Sequence, residues 1–311
     1  MDLELQGALA ALCHPLGLGL VGLCIGSFLN VVVHRLPRQM ERQWWSEVGH
    51  QLGDEDSYRQ VFAADPPAEQ ATLSWRLLKA LEALPPMGLA RPRSRCPHCG
   101  HTIRAHENIP VLSWLLLRGR CSACQASIGL RYPLVEVSCG LLFALIGWHF
   151  DGQPVALLWC GFAATLLAAS LIDWDTTLLP DSLTLPLLWA GLVAAALGWN
   201  LPLEQALWGS VVGYLSLWSV YWFFKLATGK EGMGGGDFKL LAALGAWLGP
   251  TMLLPLILGA SVLGAIVGLA MKASGALREG RYVPFGPFLA GAGLVVMLAG
   301  SERVLRWMGW A

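Results

Sequence analysis

Eight apolar runs, separated by charged stretches or by Gly/Pro breaks, organise this chain. They cover roughly residues 14–34, 133–150, 155–172, 183–199, 206–226, 238–248, 252–271 and 284–300. A helix that crosses the hydrocarbon core needs about 20 apolar residues, with a range of about 17–25, and seven runs meet that requirement. The sixth, Phe238 to Leu248, is too short alone. It must tilt, thin the bilayer locally, or be completed by its glycine-rich entrance. The breaks DGQP, NLPLE and GP after runs two, four and six are short and carry no Lys or Arg. The pattern therefore predicts an all-α polytopic membrane protein with about eight transmembrane helices.

Composition agrees. Of 311 residues, 55% are hydrophobic and 14% charged, and mean hydropathy is +0.53; a soluble domain has about 25% charged residues. The balance of 21 basic and 21 acidic residues lacks the basic face that a nucleic-acid partner demands. The opening MDLELQG has no basic region of the kind that starts a cleaved signal, so the first run is expected to stay as an anchor, residues 1–34. No internal repeat and no low-complexity tract is visible.

Charge then sets the orientation. Residues 35–132 carry thirteen Lys or Arg, and the segments around 225–239 and 271–285 carry three each: Lys225, Lys230 and Lys239, then Lys272, Arg278 and Arg281. Positive-inside places the N-terminus outside and the long 35–132 segment in the cytoplasm. Only Arg303 and Arg306 run against it. Residues 133–311 form the remaining helical core.

In that topology two aspartates reach the same cytoplasmic edge. Asp173 closes a run in LIDWDTTLLPD, and Asp237 opens one in GMGGGDFKL. Ionisable groups at membrane depth are costly and mark function. Two carboxyls within reach of each other can share a proton and activate a water. Asp175 and Asp181 read as solvated loop carboxylates, Asp181 also as a helix cap after Pro180. Gly234, Gly235 and Gly236 give the backbone before Asp237 unusual freedom and room beside a substrate strand. The N-terminus of the helix at Asp237 favours negative charge, which assigns the shared proton to Asp173.

A second constellation lies in the cytoplasmic segment. Cys96-Pro-His-Cys99 and Cys121-Ser-Ala-Cys124 are two C-x2-C knuckles 21 residues apart. Four thiolates on two tight turns suit a closed, tetrahedral, structural zinc, and a cytoplasmic location disfavours disulfides. His98, His101 and His106 are alternative ligands. Cys13, Cys24, Cys139 and Cys160 lie in or near apolar runs and read as small core residues.

These segments together resemble a known family. The string RCPHCGHTIRAHENIPVLSWLLLRGRCSACQASIGLRYPLVE is similar to the cytoplasmic loop of bacterial prepilin peptidases, and GSFLNVVVHRLPR at 26–38 to their first helix. IDWDTTLLPD and GMGGGDFKLLAALGAWLG resemble the two catalytic segments, the latter through a GxGD signature at Gly234, Gly236 and Asp237. The resemblance runs from about residue 15 to 290. It implies an intramembrane aspartic endopeptidase of the bacterial inner membrane with Asp173 and Asp237 as the catalytic pair. Asp173 is preferred over Asp175 because it stands seven residues before Pro180. The implied substrates are type IV prepilins and type II secretion pseudopilins. Members with the cysteine loop usually also methylate the new N-terminal residue with S-adenosylmethionine, which would make 35–132 the methyltransferase part. No glycine-rich cofactor fingerprint is present, so the cofactor-binding residues are unknown from sequence. Glu136, Asn108 and the Asn30–Arg35 stretch read as packing or topology residues near the inner interface.

Residues 40–92 match the family poorly. With Trp44-Trp45, the acidic Asp54, Glu55 and Asp56, and a helical stretch near 70–84, they read as a solvated insert in preference to an interfacial element. A proton- or ion-coupled transporter and a non-catalytic assembly scaffold are the alternative functions.

Overall fold

In the computed structural model, which describes residues 3–275 and 283–310, each of the eight apolar runs is helical. Helix α1 (Leu3–Cys13) turns at His14 into α2 (Pro15–Gly53). Proline starts α2 well, since the N–H it lacks would have no partner in the first turn. This 39-residue helix runs on through Pro37, past the boundary expected near residue 34. Helices α3 (Glu55–Phe62) and α4 (Gln70–Glu82) follow. The α4 helix folds back along α2, where the Ser74 hydroxyl donates to the Gly49 carbonyl at 2.7 Å and the Gln70 amide to that of Leu52 at 3.0 Å. Residues 40–92 thus form a helical arm, and Trp44, Trp45 and Trp75 are exposed on it.

Beyond the cysteine-bearing segment with its short α5 (Leu112–Leu116), the chain forms a bundle of α6 (Arg131–His149), α7 (Val155–Thr176), α8 (Asp181–Ala196), α9 (Leu203–Thr228), α10 (Gly235–Leu248), α11 (Leu253–Ala273), α12 (Gly286–Ala299) and α13 (Ser301–Trp307). No named strand occurs among the described residues. The family of apolar helices makes this a multi-pass membrane protein, but eight spans are not confirmed. Four helices are long and apolar enough to cross (α2, α6, α7 and the stretch Pro250–Ala273), or five if α12 and α13 count as one span across their 108° bend. The reasons are physical. With 16, 14 and 14 residues, α8, α10 and α12 reach only about 21–24 Å at 1.5 Å per residue, short of the roughly 30 Å core. Helix α9 is long enough, but its Trp, Tyr and Ser residues lower its hydropathy. Arg278 and Arg281 of the charge count lie outside the described residues.

Helix α10 occupies the centre. Almost every residue from Asp237 to Trp247 is buried, against α8, α9 and α12, which explains how so short a helix persists. Its far end is pinned by Trp247, whose indole N–H donates to the Leu187 carbonyl at 2.8 Å and whose ring packs on Trp159 and Phe162. Lipid tails are as apolar as Leu, so helices in a bilayer associate mainly by close packing of small residues. Gly209 of α9 and Gly245 of α10 meet in this way: a Cβ on either would collide with the other's backbone. Cys13, Cys139 and Cys160 are core residues as expected. Cys24 is exposed on α2 instead, because its face of the helix points out of the bundle.

Candidate active site and metal centre

The acids converge where three helix ends meet. Helix α7 ends because Thr177 takes a left-handed conformation (φ 54°), its N–H donating to the Asp173 carbonyl at 2.8 Å. Asp173 therefore sits in the last turn. Asp237 is the third residue of α10. Both are buried, with 4% and 8% of their surface exposed. The N–H of Gly286, first residue of α12, donates to Oδ2 of Asp173 at 3.1 Å. Oδ1 of Asp237 is buried with no hydrogen-bond partner among the described residues. Leu179 fills the corner between the two acids: a Cβ on Gly236 would lie 2.7 Å from its Cβ, and one on Gly286 3.0 Å from its Cδ1.

The neighbouring carboxylates are engaged elsewhere. Asp175 receives both guanidinium nitrogens of Arg131, at 2.9 and 2.6 Å. Asp181 receives Lys239 at 2.7 Å on both oxygens. Helix α8 does start at Asp181, but the cap position is Pro180, and the Asp181 side chain reaches across to α10 rather than back to its own first turn. The glycines before Asp237 also differ from expectation. None has a positive φ. Gly236 supplies clearance against Leu179, while Gly234 and Gly235 have open space around them.

These ion pairs also mark which end of the bundle the acids occupy. Arg131 opens α6 and Asp175 closes α7, while Asp181 opens α8 and Lys239 lies in the first turns of α10. Both acids of the pair thus lie at the end of the bundle from which residues 35–132 emerge.

Within that segment the two knuckles are built alike. An isolated bridge flanks each, Arg95 with Thr102 and Arg120 with Ser127. In each, the first cysteine's N–H is bonded five residues on: Cys96 to the His101 carbonyl and Cys121 to that of Ala126, both at 2.9 Å. The four cysteines offer sulfurs all within 4.8 Å of one another. Cys96 is pulled down to about 7 by the N–H groups of Cys99 and His98, and Cys121 is lowered by those of Cys124 and Ala123. At Cys124 the N–H of Ala126 pulls the same way, but burial and the neighbouring thiols outweigh it and push the group up to about 12. Four crowded sulfurs ionise together only with a cation between them, so the donor set suits a metal ion.

Histidine substitution in this set is unneeded. His101 Nε2 instead lies 3.1 Å from Oε2 of Glu107. Glu107 ties the knuckles together, since it also accepts from the Ser122 hydroxyl at 2.6 Å and the Arg104 N–H at 2.8 Å. Ser122, Arg104 and His101 hold its carboxyl down at about 2.

Comparison with known proteins gives two matched stretches that meet between α6 and α7. Residues 20–150 match the Bacterial Peptidase A24 N-terminal domain, and residues 160–269 match the Type IV leader peptidase family. A protein of Stutzerimonas stutzeri named prepilin leader peptidase/N-methyltransferase is 50% identical over 94% of this chain and 92% of its own length. The chain belongs to the type IV leader peptidase family. Similarly named proteins of Pseudomonas aeruginosa (48% identical; 96% of each chain) and Aeromonas salmonicida (47%; 93% of this chain and 91% of the relative) match comparably. No solved structure matches the chain significantly.

Within this family assignment, the knuckles fall in the first matched stretch and both buried acids in the second. Two participants were invisible to sequence reading. Gly286 acts through a backbone N–H, which no residue type announces; the Gly286-Pro287 start of a helix was the available signal. Glu107 has no spacing or motif that marks it, and only the pairing of the knuckles reveals what it holds.

Proposed function

We propose that this protein cleaves the leader of type IV prepilins and type II secretion pseudopilins by an aspartate pair, Asp173 and Asp237, and N-methylates the new N-terminus with S-adenosylmethionine. The observation that carries the first activity is two buried carboxyls from distant helices meeting beside the N-terminus of α12, one of them with an unpartnered oxygen. A substrate helix enters laterally from the bilayer, bringing its scissile junction to the loop end of the bundle. One carboxylate takes a proton from the attacking water, and the protonated partner polarises the carbonyl. Asp173 accepts from the Gly286 N–H, while Oδ1 of Asp237 is left free for the water or the scissile carbonyl. The open space beside Gly234 and Gly235 gives an extended substrate strand room next to Asp237.

The four cysteines hold zinc, which supplies a structural clamp and no open coordination position. The protein resides in the bacterial inner membrane with its N-terminus outside and the knuckles in the cytoplasm, the side on which basic leaders remain. The test is direct. Asp173→Asn and Asp237→Asn should each lower cleavage of a purified prepilin by about 10²–10⁴-fold while the protein still inserts and binds metal. Normal processing by both single variants would rule out the pair.

A further inference from the structure

A cavity of about 450 Å³ lies between the cysteine knuckles, the middle of α2 (Ser27 to Arg35) and the start of α6. Its size falls within the roughly 300–1,000 Å³ of small-molecule sites. Three of its lining groups have complementary chemistry. Glu136 is a carboxylate more than nine-tenths buried; its Oε2 accepts from the Val111 N–H at 2.7 Å, which leaves Oε1 for a ligand. Asn30 donates from Nδ2 to the Tyr132 carbonyl at 3.2 Å, which leaves its amide oxygen as an acceptor. The Trp114 indole is anchored by its N–H to the Ile128 carbonyl at 3.2 Å and presents a ring to the same space. With Arg35, Arg93 and Arg95 also on its lining, the cavity suits a ligand that carries both cationic and anionic groups and a flat heteroaromatic ring.

We infer that this cavity holds the methyl donor, S-adenosylmethionine, with Glu136 beside its cationic part and Trp114 against its adenine. The inference rests on the N-methyltransferase half of the proposed function and names the site of that half. Position supports it independently. Gly129 and Tyr132 line the cavity, and Arg131 between them is the residue that pairs with Asp175, two residues past Asp173. One ion pair therefore joins the donor cavity to the helix end that carries the cleavage pair. An amine freed at Asp173 and Asp237 moves along a single face of the bundle to reach the donor. There its nitrogen lone pair forms the N–CH3 bond as the S–CH3 bond breaks. The sulfur keeps that bond's electron pair and becomes a neutral thioether, and the proton lost by nitrogen passes to the Glu136 carboxylate.

The experiment uses the full-length, metal-loaded protein in detergent or nanodiscs. An azido-adenine analogue of S-adenosylmethionine is photo-crosslinked and the labelled peptides are mapped, while S-adenosylmethionine binding is titrated by calorimetry. Label should fall within residues 107–117 or 129–136. Glu136→Gln should weaken binding by about tenfold or more, the scale of one charge-assisted contact, with metal content and melting temperature confirming an intact fold. Label confined to α8–α12, or equal affinity in Glu136→Gln, would overturn the cavity assignment while methylation by the wild-type protein stood. Complete absence of both donor binding and methyl transfer, with cleavage intact, would instead remove the methyltransferase reading itself, and the cavity assignment with it.

Discussion

The backbone N–H of Gly286 donates to Oδ2 of Asp173 at 3.1 Å, across a separation of 113 residues. The N-terminus of α12 thereby holds a carboxylate of α7 in place, and the absence of a side chain at 286 makes the approach possible. A Cβ there would overlap Oδ2 itself. Gly286→Ala should therefore cut prepilin cleavage by about tenfold or more, the cost of misplacing one catalytic group, with little change in helical content. Wild-type rates in that variant would show that this contact does not position Asp173.

Asp173 and Asp175, two residues apart in the IDWDTTLLPD segment, should separate sharply under mutation. Asp175 and Arg131 form a partly exposed pair, and such pairs contribute about 0–1 kcal/mol. Asp175→Asn should leave a cleavage rate within a few-fold of wild type, against the far larger loss at Asp173. Equal loss at both positions, measured in the same assay, would reopen the choice between them.

Metal removal tests the knuckles. Elemental analysis should find one metal ion per chain, and stripping it with a chelator or by Cys96→Ser with Cys121→Ser should lower the melting temperature, since metal binding in such sites is coupled to folding. Wild-type melting behaviour after complete metal loss would contradict a structural role.

Glu107 acts one step further out. It bridges His101 and Ser122, one on each knuckle, and groups in that position typically alter metal affinity by about 10–100-fold. Glu107→Gln should speed metal release to a competing chelator by that order. An unchanged release rate would mean the knuckles hold their geometry without it.

The contact of Gly209 with Gly245 offers a stability test remote from chemistry. Any side chain at either position meets backbone, and overpacking of this kind costs about 1–3 kcal/mol. Gly245→Ala should lower thermal stability in detergent and reduce the yield of inserted protein, whereas Gly291→Ala, where nothing lies nearby, should be neutral. Similar behaviour of the two variants would remove the packing argument.

The apolar pattern alone located the eight helices and separated them from the basic segment, because bilayer thickness imposes a run length that composition reveals. Spacing alone identified the cysteine set, because a C-x2-C turn brings two sulfurs together locally. Whether α8, α10 and α12 each cross a bilayer was not legible, because a helix shorter than the hydrocarbon core is stabilised by what surrounds it. Only the fold brought Gly286 to Asp173 and sent Asp175 to Arg131 and Asp181 to Lys239. Those are contacts between atoms distant in the chain, several of them backbone atoms, and hydrogen-bond partners of that kind are set by how helices pack rather than by local residue type.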